Sequence, residues 1–432
     1  MVSPQLAPPQ TILGTGVPKA LLQDLATKII ALNSDMSLLE LAERLCLGPA
    51  VVEEIFQFVR KEQLCEVKGM VAGTYRIAVT EHGRKKATEL LSVSQYTGPA
   101  PVSLAEYSSR VRVQSTQKTT ILDKDLVGAL QHLVLQSGIV TRLGIAMTSG
   151  TALFLYGPSG CGKSSVAGSV AAAYHDDVWI PYAIEVDNQI ITVYDSGVHT
   201  QSDPGSEQVD KRWVCCKRPL VTVGGELTHI ALELQFNPAN RYCDAPLHMK
   251  ANNGVFIVDD FGRQHIRPAE LLNRWMTPLE RQIEYLSLPG GRKFTIPFDV
   301  FVVFATNVDP SRLADEAFLR RIPNKIKLDY ATTTQFQEIF RQACAELSLN
   351  CDEVALDYLI RFITTELKRP LCPCYPRDLM RQISWAAAYR REEFRVDKQS
   401  LEEACRNYFL ETAKPQGIGE SCEDHGCLKH PI

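Results

Sequence analysis

Apolar residues change their spacing several times along the chain, and each change marks an element. Over residues 21–32 they recur at helical intervals. Ser37 opens a second helix as an N-cap, with Asp35 as the alternative cap and Glu40 completing a capping box. Gly48-Pro49 breaks it, and Val51, Val52, Ile55, Phe56 and Val59 form the apolar stripe of a third helix over residues 50–62. Cys65–Val71 and Thr74–Val79 then read as two strands turned near Ala72-Gly73, and residues 80–84 lead into a last helix ending at Leu91. Further on the pattern shifts to unbroken apolar runs: Ala152–Tyr156, residues 255–258 and residues 300–305. Such runs suit strands covered on both faces in a parallel sheet.

These patterns divide the chain into a Pro- and Gly-rich leader at 1–18, expected to be disordered, and a small domain at 19–95. A polar linker with the turn Gly98-Pro99-Ala100-Pro101 follows at 96–125. An α/β domain at 126–328 alternates strand and helix signals, a helical unit occupies 329–414, and a Gly-containing tail closes at 415–432. The fold class expected is therefore α/β.

Composition narrows the class. The chain has 432 residues, 45% of them apolar and 22% charged, with a net charge of −4. That describes an ordinary globular protein with no general attraction for nucleic acid. No apolar run approaches the length of a membrane span, and residues 1–18 contain no secretory core segment. The 13 cysteines are scattered, so a reduced cytoplasm is the expected compartment and no membrane is expected as a partner. Cys422, His425, Cys427 and His430 form a candidate zinc cluster, but their gaps are tight and irregular. Cys372 and Cys374 flank a proline and read as buried or incidental.

Candidate chemistry begins after the strand Ala152–Tyr156. Residues 157–164 read Gly157-Pro158-Ser159-Gly160-Cys161-Gly162-Lys163-Ser164, followed by Ser165 and a helix. The spacing is that of a phosphate-binding loop. Its glycines let backbone N–H groups curl around phosphate oxygens, and the helix that follows adds its positive end. Lys163 would reach the β- and γ-phosphates, and Ser164 would bind Mg²⁺. The run at 255–258 ends in Asp259-Asp260, about a hundred residues later. Acids there would hold Mg²⁺ through Asp259, directly or through water, and orient or deprotonate a water through Asp260. The run at 300–305 ends in Thr306-Asn307, where an amide can hold that water. Arg320 and Arg321 end a short helix, and Tyr375-Pro376-Arg377 starts another. Arginine's planar charged fork suits phosphate.

With these five motifs in order, residues 126–410 resemble the AAA+ ATPase superfamily, and most closely its bacterial MoxR-like members, sometimes called ATPases with chaperone activity. The expected fold is then a P-loop parallel sheet with a C-terminal helical lid. The resemblance makes residues 157–164 the Walker A loop, Asp259-Asp260 the Walker B acids, Asn307 sensor 1, Arg320 and Arg321 arginine fingers, and Arg377 sensor 2. It implies ATP and Mg²⁺ as cofactors and a self-assembled ring, commonly hexameric, in which the fingers serve the neighbouring site. It implies remodelling of a protein client or adaptor. One departure stands out: the family usually ends Walker B in Asp-Glu, whereas Asp260 is one methylene shorter. Glu226 is a candidate to assist it or to act as a nucleotide-sensing switch.

Residues 19–95 resemble a winged helix-turn-helix domain. They carry ten Lys/Arg and ten Asp/Glu, and Glu53, Glu54 and Glu62 accompany Arg60 and Lys61 on the candidate recognition helix. A DNA-reading helix should be basic, so protein docking or self-association is favoured over DNA. A DNA-acting ATPase and an ATP-dependent scaffold with weak hydrolysis are the alternatives. Residues 178–236, rich in β signals, and a hairpin over 284–298 with Arg292 and Lys293 at its tip are expected to face substrate or partner. Trp213, Trp275 and Tyr285 are expected in the core.

Overall fold

The computed structural model describes residues 6–409 apart from 72, 204–208, 314 and 350–351. The chain forms two compact units, Met1–Tyr330 and Ala331–Ile432. The Cys/His cluster in the tail lies outside the described residues.

The first unit opens with the helix–helix–helix–hairpin–helix order that the apolar spacing predicts. Helix α1 (Lys19–Leu32) buries Leu22, Leu25, Ala26, Ile29 and Ile30 along one stripe. A two-residue strand β1 (Met36–Ser37) leads into α2 (Leu38–Leu45), whose start is fixed by the reciprocal Ser37–Glu40 capping box. Helix α3 (Pro49–Lys61) has proline in its first turn, where a missing N–H costs nothing. Strands β2 (Cys65–Val71) and β3 (Thr74–Val79) form the hairpin, and β1 pairs with β3 to make a three-stranded sheet. Helix α4 (Glu81–Val93) starts on a Thr80 cap. Gly83 lets it approach the hairpin, because a Cβ there would sit 1.9 Å from the Leu64 carbonyl oxygen.

Two expectations fail here. Residues 6–18 of the leader are packed, with Leu6, Ile12 and Val17 buried. The Ile12 N–H donates to the Glu54 carboxylate at 3.3 Å, and Lys19 pairs with the same carboxylate at 3.6 Å. Three apolar residues without a period give no sequence signal, yet Ile12 and Val17 fill the core under α3 and Leu6 the core of the second sheet. The linker at 96–125 is likewise structured. It buries Tyr96 and holds strand β4 (Val102–Ser103), α5 (Leu104–Val113) and the start of α6 (Asp123–Leu130). Helix α5 buries only Tyr107 and Val111, one turn apart on an otherwise polar helix, so its periodicity is faint.

Helix α7 (Ile139–Ser149) precedes β5 (Ala152–Tyr156), and α8 (Lys163–Val170) follows it. An inserted stretch then supplies β6 (Asp177–Pro181), β7 (Ala183–Val186), β8 (Gln189–Thr192) and β9 (Trp213–Lys217). The chain continues through β10 (Leu220–Val223), β11 (Gln235–Asn237), β12 (Tyr242–Asp244), α9 (Leu247–Lys250) and β13 (Gly254–Val258). Helix α10 (Pro268–Arg281), the hairpin β14 (Ile283–Ser287) and β15 (Lys293–Pro297), β16 (Val300–Thr306), α11 (Glu316–Leu319) and β17 (Asn324–Lys327) complete the unit.

The central sheet is all parallel, in the order β10-β13-β16-β5-β17. Every residue of β13 and β16 is buried, which accounts for their unbroken apolar sequences. Strand β5, first of the five in sequence, lies between β16 and β17, so the strand order reverses at its edge. In open α/β sheets such reversals place ligands at the carboxyl ends of the strands. The fold is α/β, with a phosphate-type loop leaving β5 at this end.

A second five-stranded sheet, in the order β11-β12-β8-β7-β4, is built largely from the insertion. It shares a core with the β6–β9 pair and the β14–β15 hairpin, in which Ile184, Trp213, Leu286, Phe294 and Ile296 are buried. The hairpin therefore turns at Gly290-Gly291 as expected, but its apolar face is packed rather than presented. Arg292 at its tip pairs with Asp187 at 2.6 Å. Trp213 and Trp275 lie in the core as expected, whereas Tyr285, on the outward face of β14, is 47% exposed.

The second unit is helical: α12 (Thr333–Glu346), α13 (Glu353–Arg361) with a wide π-type turn at Phe362–Glu366, α14 (Tyr375–Arg390) and α15 (Lys398–Tyr408). Its core is Phe336, Phe340, Leu359, Leu379 and Leu401 with their neighbours. Cys372 is buried, and the Cys374 Sγ lies 3.6 Å from it.

Candidate functional site

The loop after β5 is shaped by three glycines in the positive-φ region: Gly157 at 143°, Gly160 at 78° and Gly162 at 84°. Two of them are needed for different reasons. A Cβ on Gly157 would lie 1.9 Å from the Leu328 carbonyl oxygen, so β17 approaches too closely for any side chain. A Cβ on Gly162 would meet nothing within 4 Å; the backbone turn alone requires glycine there, and the space beside it is open. Helix α8 begins at Lys163, so its unpaired N–H groups face the loop. Cys161 is buried, and Ser164 and Ser165 are exposed on the first turn. Pro158 and Ser159 belong to the same turn.

Lys163 is buried in its own loop. Its Nζ donates to the carbonyls of Gly157 at 3.0 Å and Pro158 at 2.7 Å. The Ser164 hydroxyl donates to the Asp259 carboxylate at 2.9 Å, joining the loop to the end of β13. Asp259 is placed by the sheet, since its N–H donates to Val223 of β10 at 2.8 Å.

Asp260 has φ 48°, a left-handed conformation uncommon outside glycine. The turn it makes is locked at several points. The Phe261 N–H donates to Ala305 at 2.7 Å, and the Thr306 hydroxyl donates to the Phe261 carbonyl at 2.8 Å. Gln264, which the sequence reading passed over, donates through Nε2 to the carbonyls of Asp259 at 2.8 Å and Asp260 at 3.2 Å. On the far side of the turn, Asn307 Nδ2 donates to the Asp260 carboxylate at 3.0 Å. Asn307 follows β16, so the sheet register that pairs Val258 with Phe304 also brings these two side chains together.

Glu226 lies just beyond β10. Its carboxylate accepts the Gly224 N–H at 2.7 Å, and this backbone hydrogen bond, with one from its own N–H, holds its pKa below the usual carboxylate range. The arginines each make an ion pair of their own. Arg320 pairs with Glu316 one turn earlier at 2.9 Å. Arg321 pairs with Glu280, at the end of α10, at 3.2 Å. Arg377, in the second unit, pairs with Glu346 at 2.6 Å.

The donors fit a nucleotide with its metal. A hydroxyl and a carboxylate 2.9 Å apart form a hard oxygen pair of the kind Mg²⁺ prefers, leaving its other positions to phosphate and water. The glycine turns, the open space at Gly162 and the helix end make an anion cradle.

Comparison with known proteins adds little. A family model described as "Domain of unknown function (DUF8689)" matches residues 332–407, within the second unit. No curated protein matches. Among solved structures, the RuvB Holliday junction branch migration motor of Thermotoga maritima is 12% identical, with TM-score 0.36, covering 67% of this chain and 72% of that one. Domain III of the replication initiation protein DnaA from the same organism is 11% identical, with TM-score 0.37, covering 65% of this chain and 95% of that one. TM-scores this low transfer nothing to this chain. Among the described residues, no helix is long and apolar enough to cross a membrane.

Proposed function

We propose that this chain is an AAA+-type ATPase that binds ATP with Mg²⁺, hydrolyses it, and works as a self-assembled ring on a protein client. The observation that supports this most is the joining of three separate motifs at one end of the parallel sheet. Ser164 meets Asp259 at 2.9 Å, and Asp260 meets Asn307 at 3.0 Å. The second of these pairs bears on the short Asp260 side chain. The left-handed turn and the Asn307 hydrogen bond hold the Asp260 carboxylate, which supports a water-orienting role despite the shorter side chain.

On this reading Ser164 and Asp259 hold Mg²⁺, which when bound offsets phosphate charge. Lys163 exchanges its two loop carbonyls for the β- and γ-phosphate oxygens. Asp260 accepts a proton from, or orients, the water that attacks the γ-phosphorus, and Asn307 keeps that carboxylate aimed. Arg321, or Arg320 beside it, leaves its carboxylate partner to serve the site of a neighbouring subunit, and Arg377 responds from the helical unit. Glu226 is poised on backbone N–H groups as the nucleotide-sensing switch. The MoxR-like likeness and a hexameric ring belong to this proposal.

Residues 19–95 are proposed as a winged-helix-like docking domain for protein. The carboxylate of Glu54 on α3 is taken up by Ile12 of the leader and Lys19 at the start of α1, which occupies part of the helix a DNA reader would present. The test is nucleotide binding by the full chain: Lys163→Ala should abolish retention of a fluorescent ATP analogue with Mg²⁺. Unchanged retention would remove the reading.

A further inference from the structure

A cavity of about 540 Å³ that includes none of the phosphate-loop or strand-end residues lies between α1, the end of α4 and the second sheet. That volume falls in the range of small-molecule sites. Leu21 of α1, Val93 at the end of α4, Ile190 of β8, Phe236 of β11 and Tyr242 of β12 supply an apolar lining. Three charged side chains interrupt it: Asp24 and Lys28, one turn apart on α1, and Arg241 before β12.

Lys28 is the unusual member. It is only 5% exposed, although lysine is almost never buried without a partner. Its Nζ makes one hydrogen bond, to the Ser94 carbonyl at 3.1 Å. Among the described residues no carboxylate closes an ion pair with it. An ammonium has three N–H donors, so two are left over beside an open cavity. Burial pushes its pKa down to about 8, and the Asp24 carboxylate one turn away offsets that only in part. Arg241 donates one N–H to the Ser92 carbonyl and keeps others. Both cations thus cap the C-terminal end of α4, but capping consumes a minority of their donors.

The geometry points to a binding site for a small monocarboxylate with an apolar body, its carboxylate held by Lys28 and Arg241. The charge count selects a monoanion. Two cations and one carboxylate leave a single positive charge, and a phosphate dianion would be opposed by Asp24. The apolar lining disfavours an inorganic ion.

Octanoate is the probe, titrated calorimetrically into the full chain with octylamine and octan-1-ol as controls. One octanoate should bind per chain, saturably, with the amine and the alcohol at least tenfold weaker. Lys28→Met should weaken octanoate at least tenfold. Val93→Trp should abolish binding by filling the mouth from a position that is 74% exposed, so it reports even if the buried variant fails to fold. Mg²⁺-ATP should not compete. No saturable binding, equal binding of the amine, binding unaffected by Val93→Trp, or displacement by ATP would each overturn the assignment.

Discussion

The two halves of the proposed catalytic site are held in opposite ways. Ser164, Asp259, Asp260 and Asn307 are joined to one another across three strand ends of one sheet. Arg320, Arg321 and Arg377 are each paired with a carboxylate of their own surroundings, Glu316, Glu280 and Glu346. The first group is pre-assembled by backbone register, and little reorganisation remains when substrate arrives. The second group is held by ion pairs with exposed acids, which are worth about 1 kcal/mol or less and exchange readily. On the proposed reading, hydrolysis would wait on assembly, with the acids ready and an arginine supplied by a neighbouring subunit.

The strongest way to break this comparison is Arg321→Ala. Loss of an arginine supplied in trans should lower turnover by about a thousandfold while ATP binding persists. Mixing that variant with Asp260→Asn should restore part of the phosphate release, since each subunit supplies what the other lacks. Two inactive variants that stay inactive on mixing would place Arg321 outside the neighbour's site. Asp260→Asn alone should cost about a hundredfold or more in turnover, as removal of a general base does.

Smaller effects sharpen the structural side. Gly162→Ala forces a side chain into a φ of 84° and should cost about 1–2 kcal/mol in denaturant unfolding, together with loop function. A loop destabilised no more than by an exposed helix substitution would argue against that turn. Glu280→Gln should shift stability by less than about 1 kcal/mol, because it removes only a partly exposed pair. Lys28 makes a separate check by pH. Its folded pKa of about 8 lies below its ordinary value of 10.5, so between those values the unfolded chain binds more protons. Stability should therefore rise as pH goes from about 8 to 10.5, and Lys28→Met should flatten that rise.

The side chains gathered at the strand ends were legible in the sequence because residue type, order and strand context agree at each. Glycine spacing, paired acids after an apolar run and an amide after the next run all follow from a parallel sheet that gathers strand ends. Gln264 was not legible: it acts on backbone carbonyls within a turn, and a lone glutamine carries no pattern. The packed leader and α5 were missed for the same physical reason. Their burial rests on a few apolar residues, Ile12 and Val17 or Tyr107 and Val111, too sparse to set a period. The insertion's β content was legible, but its packing against the β14–β15 hairpin was not. That contact joins segments distant in sequence, and the hairpin's alternation looks the same whether its apolar face meets protein or a partner.

The most direct test of the central claim is phosphate release by the purified full chain with Mg²⁺ and ATP, beside ATP retention by Asp260→Asn. Steady release by the native chain, and bound, uncleaved ATP in the variant, are the predicted results. Native and Asp260→Asn chains that release phosphate at the same rate would contradict it.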